Sequence, residues 1–205
     1  MAKIEACLPW ILQDKKCVIK EKSNVMTLAI QQIDESILNF IQTGIHFFIL
    51  DKIMLAFSWI GNGGAVWIVT AILLMISKKN RTTGIIVIFA LVLCVIAGNV
   101  ILKPLVSRMR PCFFHPEVKL LLPCPTDFSF PSGHTMSSFA AATVILVLNK
   151  KMGKWALITA SLIAYSRLYL YVHYPSDIVG GIILGFAMAL ISIKFTQLIK
   201  NHLKI

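Results

Sequence analysis

The sequence predicts an all-α integral membrane protein, a bundle of helices embedded in a lipid bilayer. Of the 205 residues, 57% are hydrophobic and only 14% are charged, and the mean hydropathy is +0.79. Soluble domains carry about 25% charged residues, so this chain has too little polar surface for one. Its length leaves room for one bundle of five or six spanning helices and no separate catalytic domain. A functional site must therefore be built from helix ends and connecting loops.

Five runs of residues are apolar and long enough to be transmembrane helices. Crossing a hydrocarbon core about 30 Å thick takes roughly 20 helical residues. The fourth run is interrupted only by Arg167, near its far end. The predicted spans are residues 53–77, 82–102, 133–149, 155–172 and 178–197.

The N-terminal quarter carries a weaker signal. Residues 1–24 are basic and hold no convincing signal peptide, because their apolar stretch 6–12 is short and contains Pro9. Residues 25–50 mix apolar and polar side chains with a helical period, which predicts an amphipathic helix along the membrane interface. A sixth, less apolar span is the alternative. The lysines of residues 1–24 favour that alternative, since it would place them in the cytoplasm.

Basic residues between the spans predict the orientation of the bundle. Alternating crossings put three basic clusters on one side, which the positive-inside rule makes cytoplasmic. These clusters are Lys78, Lys79 and Arg81; Lys150, Lys151 and Lys154; and Lys194, Lys200 and Lys204. The connections 103–132 and 167–177 then lie outside and hold further cations, which indicates an anionic partner. The net charge of +11 does not indicate nucleic acid, because the cations lie in short clusters between uncharged runs.

Two cysteines bracket a proline-containing part of the first outer connection. Cys112 and Cys124 are candidates for a disulfide bond in an oxidising compartment. Two free cysteines are an equally good interpretation. No spacing of Cys and His residues resembles a zinc site.

Four helix ends meet on the predicted outer face, and the first two carry cations and a helix start. Segment 103–111 closes the second span with three basic residues, which are also typical of interfacial anchors. Ser132 is a predicted N-cap, and Gly133 lets the backbone of the helix start approach a phosphate closely. His134, in the first turn, would face the same place and donate a proton to a leaving oxygen. A capped helix with an interfacial histidine is the alternative.

The other two helix ends lie in segment 166–177. Asp177 can hold one ring nitrogen of His173 and leave the other as a nucleophile, as the carboxylate of a catalytic triad orients its histidine. Arg167 would supply a planar fork for phosphate oxygens. The alternative is a structural His173–Asp177 ion pair. That alternative does not explain why Arg167 lies near the membrane boundary without an acid in its own segment.

Taken together, the segments carry Lys-x6-Arg-Pro, Pro-Ser-Gly-His and Ser-Arg-x5-His-x3-Asp in this order. This resembles the three-part signature of the type 2 phosphatidic acid phosphatase (PAP2) superfamily of integral membrane lipid phosphatases, and every signature position matches. The residues around Asp51, segment 61–64 and Trp67 are similar to small bacterial members. Many of those members begin with a clear transmembrane helix, which residues 1–24 do not resemble.

The resemblance implies a metal-independent phosphatase that needs no cofactor and works through a phosphohistidine. Carried over by position, His173 attacks phosphorus, Asp177 orients it, and His134 protonates the leaving group and then acts as the base. The residues implied to bind the phosphoryl group are Lys103, Arg110, Arg167, Ser132 and Gly133. Three residues outside the signature are candidate contacts to the substrate headgroup: Ser107, Arg108 and His115.

The implied substrate is a lipid phosphate or diphosphate at the outer face of a bacterial plasma membrane. Undecaprenyl diphosphate is preferred, because an outward-facing site matches where that carrier is recycled. Phosphatidic acid and phosphatidylglycerophosphate fit the same site. The expected partners include membrane lipids, and nucleic acid is not expected. Because residues 1–24 do not resemble the first transmembrane helix, a second copy of the chain or another chain is expected to cover the side of the bundle that is left exposed. A non-hydrolytic lipid-binding or transport protein is a weaker interpretation, because it needs no nucleophile and would not explain His134, His173 and Asp177. A vanadate-dependent haloperoxidase is also weaker, because those proteins are in the main soluble and this chain has five predicted spans.

Overall fold

The computed structural model describes residues 11–203, and the regular structure in this part of the chain is helical, which confirms the all-α prediction. A 3-10 turn, Asn62–Gly64, and a π-helical stretch, Val95–Leu102, interrupt the α-helices. The α-helices are α1 (Ile11–Gly44), α2 (Phe48–Ile60), α3 (Ala65–Ile76), α4 (Arg81–Cys94), α5 (Lys103–Val106), α6 (Pro111–Phe114), α7 (Gly133–Leu148), α8 (Lys150–Tyr169) and α9 (Pro175–Leu203).

Two helical stretches of the described residues are long and apolar enough to cross a membrane. They are Arg81–Phe114, which runs from α4 through the π-helical stretch to α6, and Pro175–Ile199 within α9. The α2–α3 pair is a third candidate if it is one span bent by 49°. The helix α7 is apolar but shorter. The protein is therefore an all-helical membrane protein, while the count of five spans stays a prediction.

The predicted first span, 53–77, consists of two helices separated by a glycine-rich turn. Gly63 and Gly64 have φ angles of 59° and 72°, in the left-handed region that favours glycine. A Cβ atom added at Gly61 would lie 3.2 Å from Cδ2 of His134, at the start of α7. The break thus brings the backbone of this turn against the first turn of α7.

The helix α7 is the centre of the bundle and contacts α4, α8 and α9. Nearly its whole length from Thr135 to Ile145 is buried. A Cβ atom at Gly185 of α9 would lie 2.6 Å from the carbonyl oxygen of Met136, so the α7 and α9 backbones are in close contact. Small residues allow such approach between membrane helices. This packing brings the starts of α7 and α9 together, and the Ser132 backbone N–H donates to the carbonyl oxygen of Asp177 at 3.3 Å.

The helix α1 has one buried face and one exposed apolar face. Asp34, Leu38 and Ile41 are buried against residues of the α8–α9 turn and their neighbours. Among residues 28–44 of this helix, the large exposed apolar side chains are Leu28, Ile30, Ile33, Ile37 and Phe40. Segment 25–50 is accordingly amphipathic, but it is not one helix, since α1 ends at Gly44 and α2 begins at Phe48. Residues 1–10, in the predicted basic segment, lie outside the described part of the chain.

Candidate active site

A cavity of about 1220 Å³ lies between α2, α3, α4, α7 and α8, and both polar and apolar side chains line it. The lining includes six of the eight residues predicted for the site: Lys103, Arg110, Gly133, His134, Arg167 and His173. The apolar side chains of the lining include Leu55, Trp59, Ile68, Ile88, Leu91 and Val92. The tertiary structure thus brings the three sequence motifs to one place, next to a surface suited to hydrocarbon.

His173 lies in the turn between α8 and α9 and is 1% exposed. A nitrogen of Arg110, Nη1, lies 2.9 Å from its Nε2 atom. Because a guanidinium can only donate hydrogen bonds, this contact places the lone pair on Nε2 and the proton on Nδ1. Burial lowers the pKa of His173 to about 3, against the raising effect of the Asp177 carboxylate. The ring is therefore neutral near pH 7, and the Nε2 lone pair belongs to a residue that lines the cavity.

Asp177, in the first turn of α9, is fully buried and divides its two oxygens between different partners. Its Oδ2 atom accepts from Ser129 Oγ at 2.5 Å and from the Tyr174 backbone N–H at 2.9 Å, and it lies 3.5 Å from His173 Nδ1. Its Oδ1 atom accepts from Arg108 Nη1 at 2.8 Å. The predicted His173–Asp177 contact is present, and the carboxylate is held from several sides.

Ser129 is a member of this group that sequence reasoning missed. Its hydroxyl lies 3.4 Å from His173 Nδ1 and donates to Asp177. Its backbone N–H donates to the carbonyl oxygen of Arg108 at 2.7 Å, which fixes the residue against the first motif. The position three residues before Ser132 was a usable signal, because it precedes a predicted helix start at the site.

Lys103 and Arg110 converge on one carboxylate, that of Asp127. Arg110 Nη2 donates to Asp127 Oδ1 at 2.8 Å, and Lys103 is paired with Oδ2. Both cations are buried, whereas the Asp127 side chain is 52% exposed. Partial burial would raise the pKa of Asp127, but the hydrogen bond from Lys103 and the charges of Arg110 and Lys103 lower it to about 2. The two predicted phosphate ligands thus already hold an anion at one point of the cavity wall.

Arg167 ends α8 as a buried cation with an unused donor. One of its terminal nitrogens is paired with the hydroxyl of Ser58, on α2. Its Nε atom is buried and makes no hydrogen bond to the residues that the structure describes. Buried polar groups are nearly always satisfied, so this residue of the cavity wall keeps one donor without an acceptor among the described residues.

The start of α7 also contributes to the cavity wall, through Gly133 and His134. Ser132 is buried and caps the helix, since its Oγ accepts from the Thr135 N–H at 3.5 Å and from the Thr135 hydroxyl at 3.0 Å. This agrees with the predicted N-cap and explains why Ser132 does not line the cavity. The first N–H groups of a helix have no acceptor within it, so they provide donors beside Gly133 and His134.

The three candidate headgroup contacts do not line the cavity, which corrects that expectation. Ser107 has a left-handed backbone, with φ of 50°, and its hydroxyl donates to the carbonyl oxygen of Pro104 at 2.6 Å. This turn directs Arg108 away from the cavity, toward Asp34 and Asp177. His115 pairs with Glu117 at 2.9 Å.

Cys112 and Cys124 form a disulfide bond, with Cα atoms 6.0 Å apart. This selects one of the two interpretations that the sequence left open. The bond joins α6, directly after Arg110, to the segment that leads to Asp127. It therefore ties together the two parts of the chain that supply this ion pair.

Known proteins are similar to this chain over most of the bundle. The sequence model of the PAP2 superfamily matches residues 83–200. The chain is 38% identical over 130 residues to an undecaprenyl-diphosphatase of Sulfolobus acidocaldarius, a match that spans 63% of each protein, so a good part of that relative lies outside it. It is 29% identical over 160 residues to the undecaprenyl-diphosphatase BcrC of Bacillus subtilis, covering 76% of this chain and 79% of that protein.

A solved structure agrees with the fold. The transmembrane PAP2-type phosphatidylglycerolphosphate phosphatase from Bacillus subtilis superposes with a TM-score of 0.67 at 26% identity, covering 84% of this chain and 88% of that one. The matched region of the family model is more than half of the chain and contains every residue of the three motifs. The chain therefore belongs to the PAP2 superfamily.

Proposed function

We propose that this protein is a membrane phosphatase that hydrolyses a lipid phosphate or diphosphate, without a metal ion, through a phosphohistidine on His173. One observation carries the proposal. A neutral, buried histidine with its lone pair on Nε2 lines a cavity whose wall also holds Lys103, Arg110 and Arg167. Phosphoryl transfer depends mainly on positioning and charge neutralisation, and three cations with a helix start supply both.

In the first step Nε2 of His173 attacks phosphorus and the bond to the leaving oxygen breaks. The phosphoryl oxygens replace Asp127 and Nε2 as acceptors for Arg110. The Nδ1 proton stays on the ring, beside Asp177 and Ser129, so the carboxylate stabilises the positive charge that develops there. His134, at the start of α7, gives its proton to the leaving oxygen.

In the second step water hydrolyses the phosphohistidine. His134, now neutral, accepts a proton from the attacking water, the N–P bond breaks, and the electron pair returns to Nε2. The products are orthophosphate and neutral His173, with His134 protonated again for the next cycle. The cycle requires His173 neutral and His134 protonated when substrate binds, which predicts a bell-shaped dependence of rate on pH.

We propose undecaprenyl diphosphate as the substrate, converted to undecaprenyl phosphate. The names of the Sulfolobus and Bacillus relatives support this choice. The apolar side chains that line the same cavity as the cations offer a surface for a hydrocarbon chain. The alternative is a glycerolipid phosphate, either phosphatidic acid or phosphatidylglycerophosphate, which the name of the similar solved structure supports.

We further propose that the site faces the extracytoplasmic side of a bacterial plasma membrane. Alternating crossings of the predicted spans put the basic clusters and the three motifs on opposite sides, and the positive-inside rule makes the side of the clusters cytoplasmic. The Cys112–Cys124 disulfide bond supports the same orientation, because disulfides persist in oxidising compartments.

The test is phosphate release by the detergent-purified protein, in excess EDTA, from undecaprenyl diphosphate, phosphatidic acid and phosphatidylglycerophosphate. We expect turnover that EDTA does not remove, fastest on undecaprenyl diphosphate, and loss of turnover in His173→Ala. The matched control is His115→Ala, which removes a partly exposed histidine outside the cavity and should keep the wild-type rate. Wild-type turnover in His173→Ala would overturn the mechanism. Lipid binding without phosphate release would favour the binding or transport interpretation.

A further inference from the structure

Arg108 joins two buried carboxylates that lie far apart in the sequence. Its Nη1 atom donates to Asp177 Oδ1 at 2.8 Å, and its Nη2 atom donates to Asp34 Oδ2 at 2.7 Å. The guanidinium carbon lies 4.0 Å from the centre of the Tyr174 ring. Only a planar fork with several donors bridges two acids in this way, and a lysine ammonium does not reproduce it.

Asp34 belongs to α1, outside the region that the family model matches. Its side chain is 2% exposed and accepts three hydrogen bonds. Besides the one from Arg108, these come from the Ser176 backbone N–H at 2.8 Å and the Ser176 hydroxyl at 2.5 Å. A buried carboxylate is costly unless it is paired and hydrogen-bonded, and Asp34 is both.

We propose that Asp34 and Arg108 are a positioning pair that holds the Asp177 carboxylate, and through it the His173 ring, in the orientation for attack. This inference rests on the proposed function, in which His173 is the nucleophile. Arg108 occupies only Oδ1 of Asp177, which leaves Oδ2 for Ser129, the Tyr174 N–H and His173 Nδ1. The hydrogen bond from Arg108 thus leaves Oδ2 as the Asp177 oxygen that faces the His173 ring.

Asp34 has a second effect, through charge. Arg108 alone would compete with the His173 ring for the Asp177 carboxylate as positive charge develops on the ring. The Asp34 carboxylate compensates Arg108, so that the two acids and one guanidinium keep a net charge of −1 beside His173. This charge matches the imidazolium that forms when Nε2 bonds to phosphorus. Because Arg108 does not line the cavity, the pair acts on His173 through Asp177 and does not contact the substrate.

The test compares Asp34→Asn with Glu35→Gln, a substitution of the same kind at the next residue. Glu35 is partly exposed, and its side chain accepts a hydrogen bond from Gln31 at 3.1 Å. In Asp34→Asn we expect kcat to fall roughly 10- to 100-fold, with KM within about twofold of wild type, because misplacement of a reacting group affects the chemical step. Glu35→Gln should keep both constants. Rates are normalised to monodisperse protein, so that a loss of folded protein is counted separately.

Two further variants separate positioning from folding. Arg108→Lys keeps the charge but not the fork, and we expect it to lower kcat as Asp34→Asn does. In the background of Arg108→Gln, adding Asp34→Asn should cause little further loss, since Asp34 acts through Arg108. Asp34→Glu, which keeps the carboxylate, should recover part of kcat.

The outcomes distinguish this inference from the proposed function. Wild-type kcat per folded molecule in Asp34→Asn and Arg108→Lys, with His173→Ala inactive, would overturn the positioning role and leave the phosphohistidine mechanism standing. Independent, additive losses from Asp34→Asn and Arg108→Gln would also overturn it. Full turnover in His173→Ala would instead remove the proposed function on which the inference rests.

Discussion

Arg108 and Arg110 are two residues apart, yet their surroundings differ. Arg110 is placed to bind a ligand, whereas Arg108 is placed to hold other side chains of the site in position. Arg110 lines the cavity and is paired with Asp127, whose side chain is half exposed. Arg108 lies outside the cavity and is paired with Asp34 and Asp177, which are both buried. A counterion within reach of solvent can be exchanged for a substrate phosphate, whereas one enclosed on all sides holds a fixed structure. The charge of an arginine therefore says less about its role than the exposure of the acid it meets.

Removing each arginine should separate the two roles, and the largest effect should be on folding. Arg108→Ala leaves Asp34 and Asp177 without their cation, and breaking a buried ion pair costs about 3–5 kcal/mol. We expect a clear loss of unfolding free energy in detergent. Arg110→Ala should destabilise less, since water can reach Asp127. Equal stability of Arg108→Ala and the wild type would contradict the comparison.

The next largest effect should be on turnover. In Arg110→Ala the transition state loses a donor to the phosphoryl oxygens, so we expect kcat/KM to fall roughly 10²- to 10³-fold. Arg110→Lys should restore only part of it, because a lysine lacks the bidentate fork. Steady-state phosphate release measures both. If Arg110→Ala lost no more activity than the Glu35→Gln control, Arg110 would not be a phosphate ligand.

A smaller effect should follow from removing the exchangeable acid. In Asp127→Asn the resident anion no longer competes for Lys103 and Arg110. We expect orthophosphate to inhibit at a roughly two- to fivefold lower concentration, in keeping with the modest strength of partly exposed ion pairs. Glu117→Gln, in the same loop but paired with His115, is the control and should leave inhibition unchanged. Weaker inhibition in Asp127→Asn would mean that this acid positions the cations and does not compete with phosphate.

The smallest effect concerns pH. The folded-state pKa of His173, about 3, lies below the ordinary value of 6.5, so the unfolded chain binds more protons between these limits. Stability should therefore fall as the pH falls through 6.5, by less than about 1 kcal/mol between pH 7 and pH 6. His173→Gln lacks this proton and should show a flatter dependence. Unfolding at a series of pH values measures the difference, and parallel curves would show that His173 is not held neutral.

The sequence predicted best what depends on neighbours along the chain. Ser132 was recognisable as a helix cap because capping acts within one turn. His173 and Asp177 could be paired because they lie four residues apart across a helix start. The three motifs could be assigned to one side because alternating crossings require only a count of spans. The lining of the cavity by residues of all three motifs agrees with that assignment.

Other features could not be predicted because they depend on contacts between distant segments. Asp34 is 74 residues from Arg108 in sequence, and its carboxylate looked like the polar side of an amphipathic helix. The spacing of Asp34, Leu38 and Ile41 does place the acid on one helix face with two buried residues, and this was the available signal. Arg108 was misassigned to the substrate because the left-handed turn at Ser107, which redirects it, has no clear mark in the sequence.

By itself the sequence determined the helical class, the order of the motifs and the chemical groups at the site, because hydropathy, caps and prolines act locally. Only the tertiary structure decided which acid each arginine meets, that Cys112 bonds to Cys124, and that the first predicted span bends at its glycines. These outcomes depend on how the helices pack around α7. Packing brings together side chains that are far apart in the sequence, and their separation along the chain does not predict their distance in space.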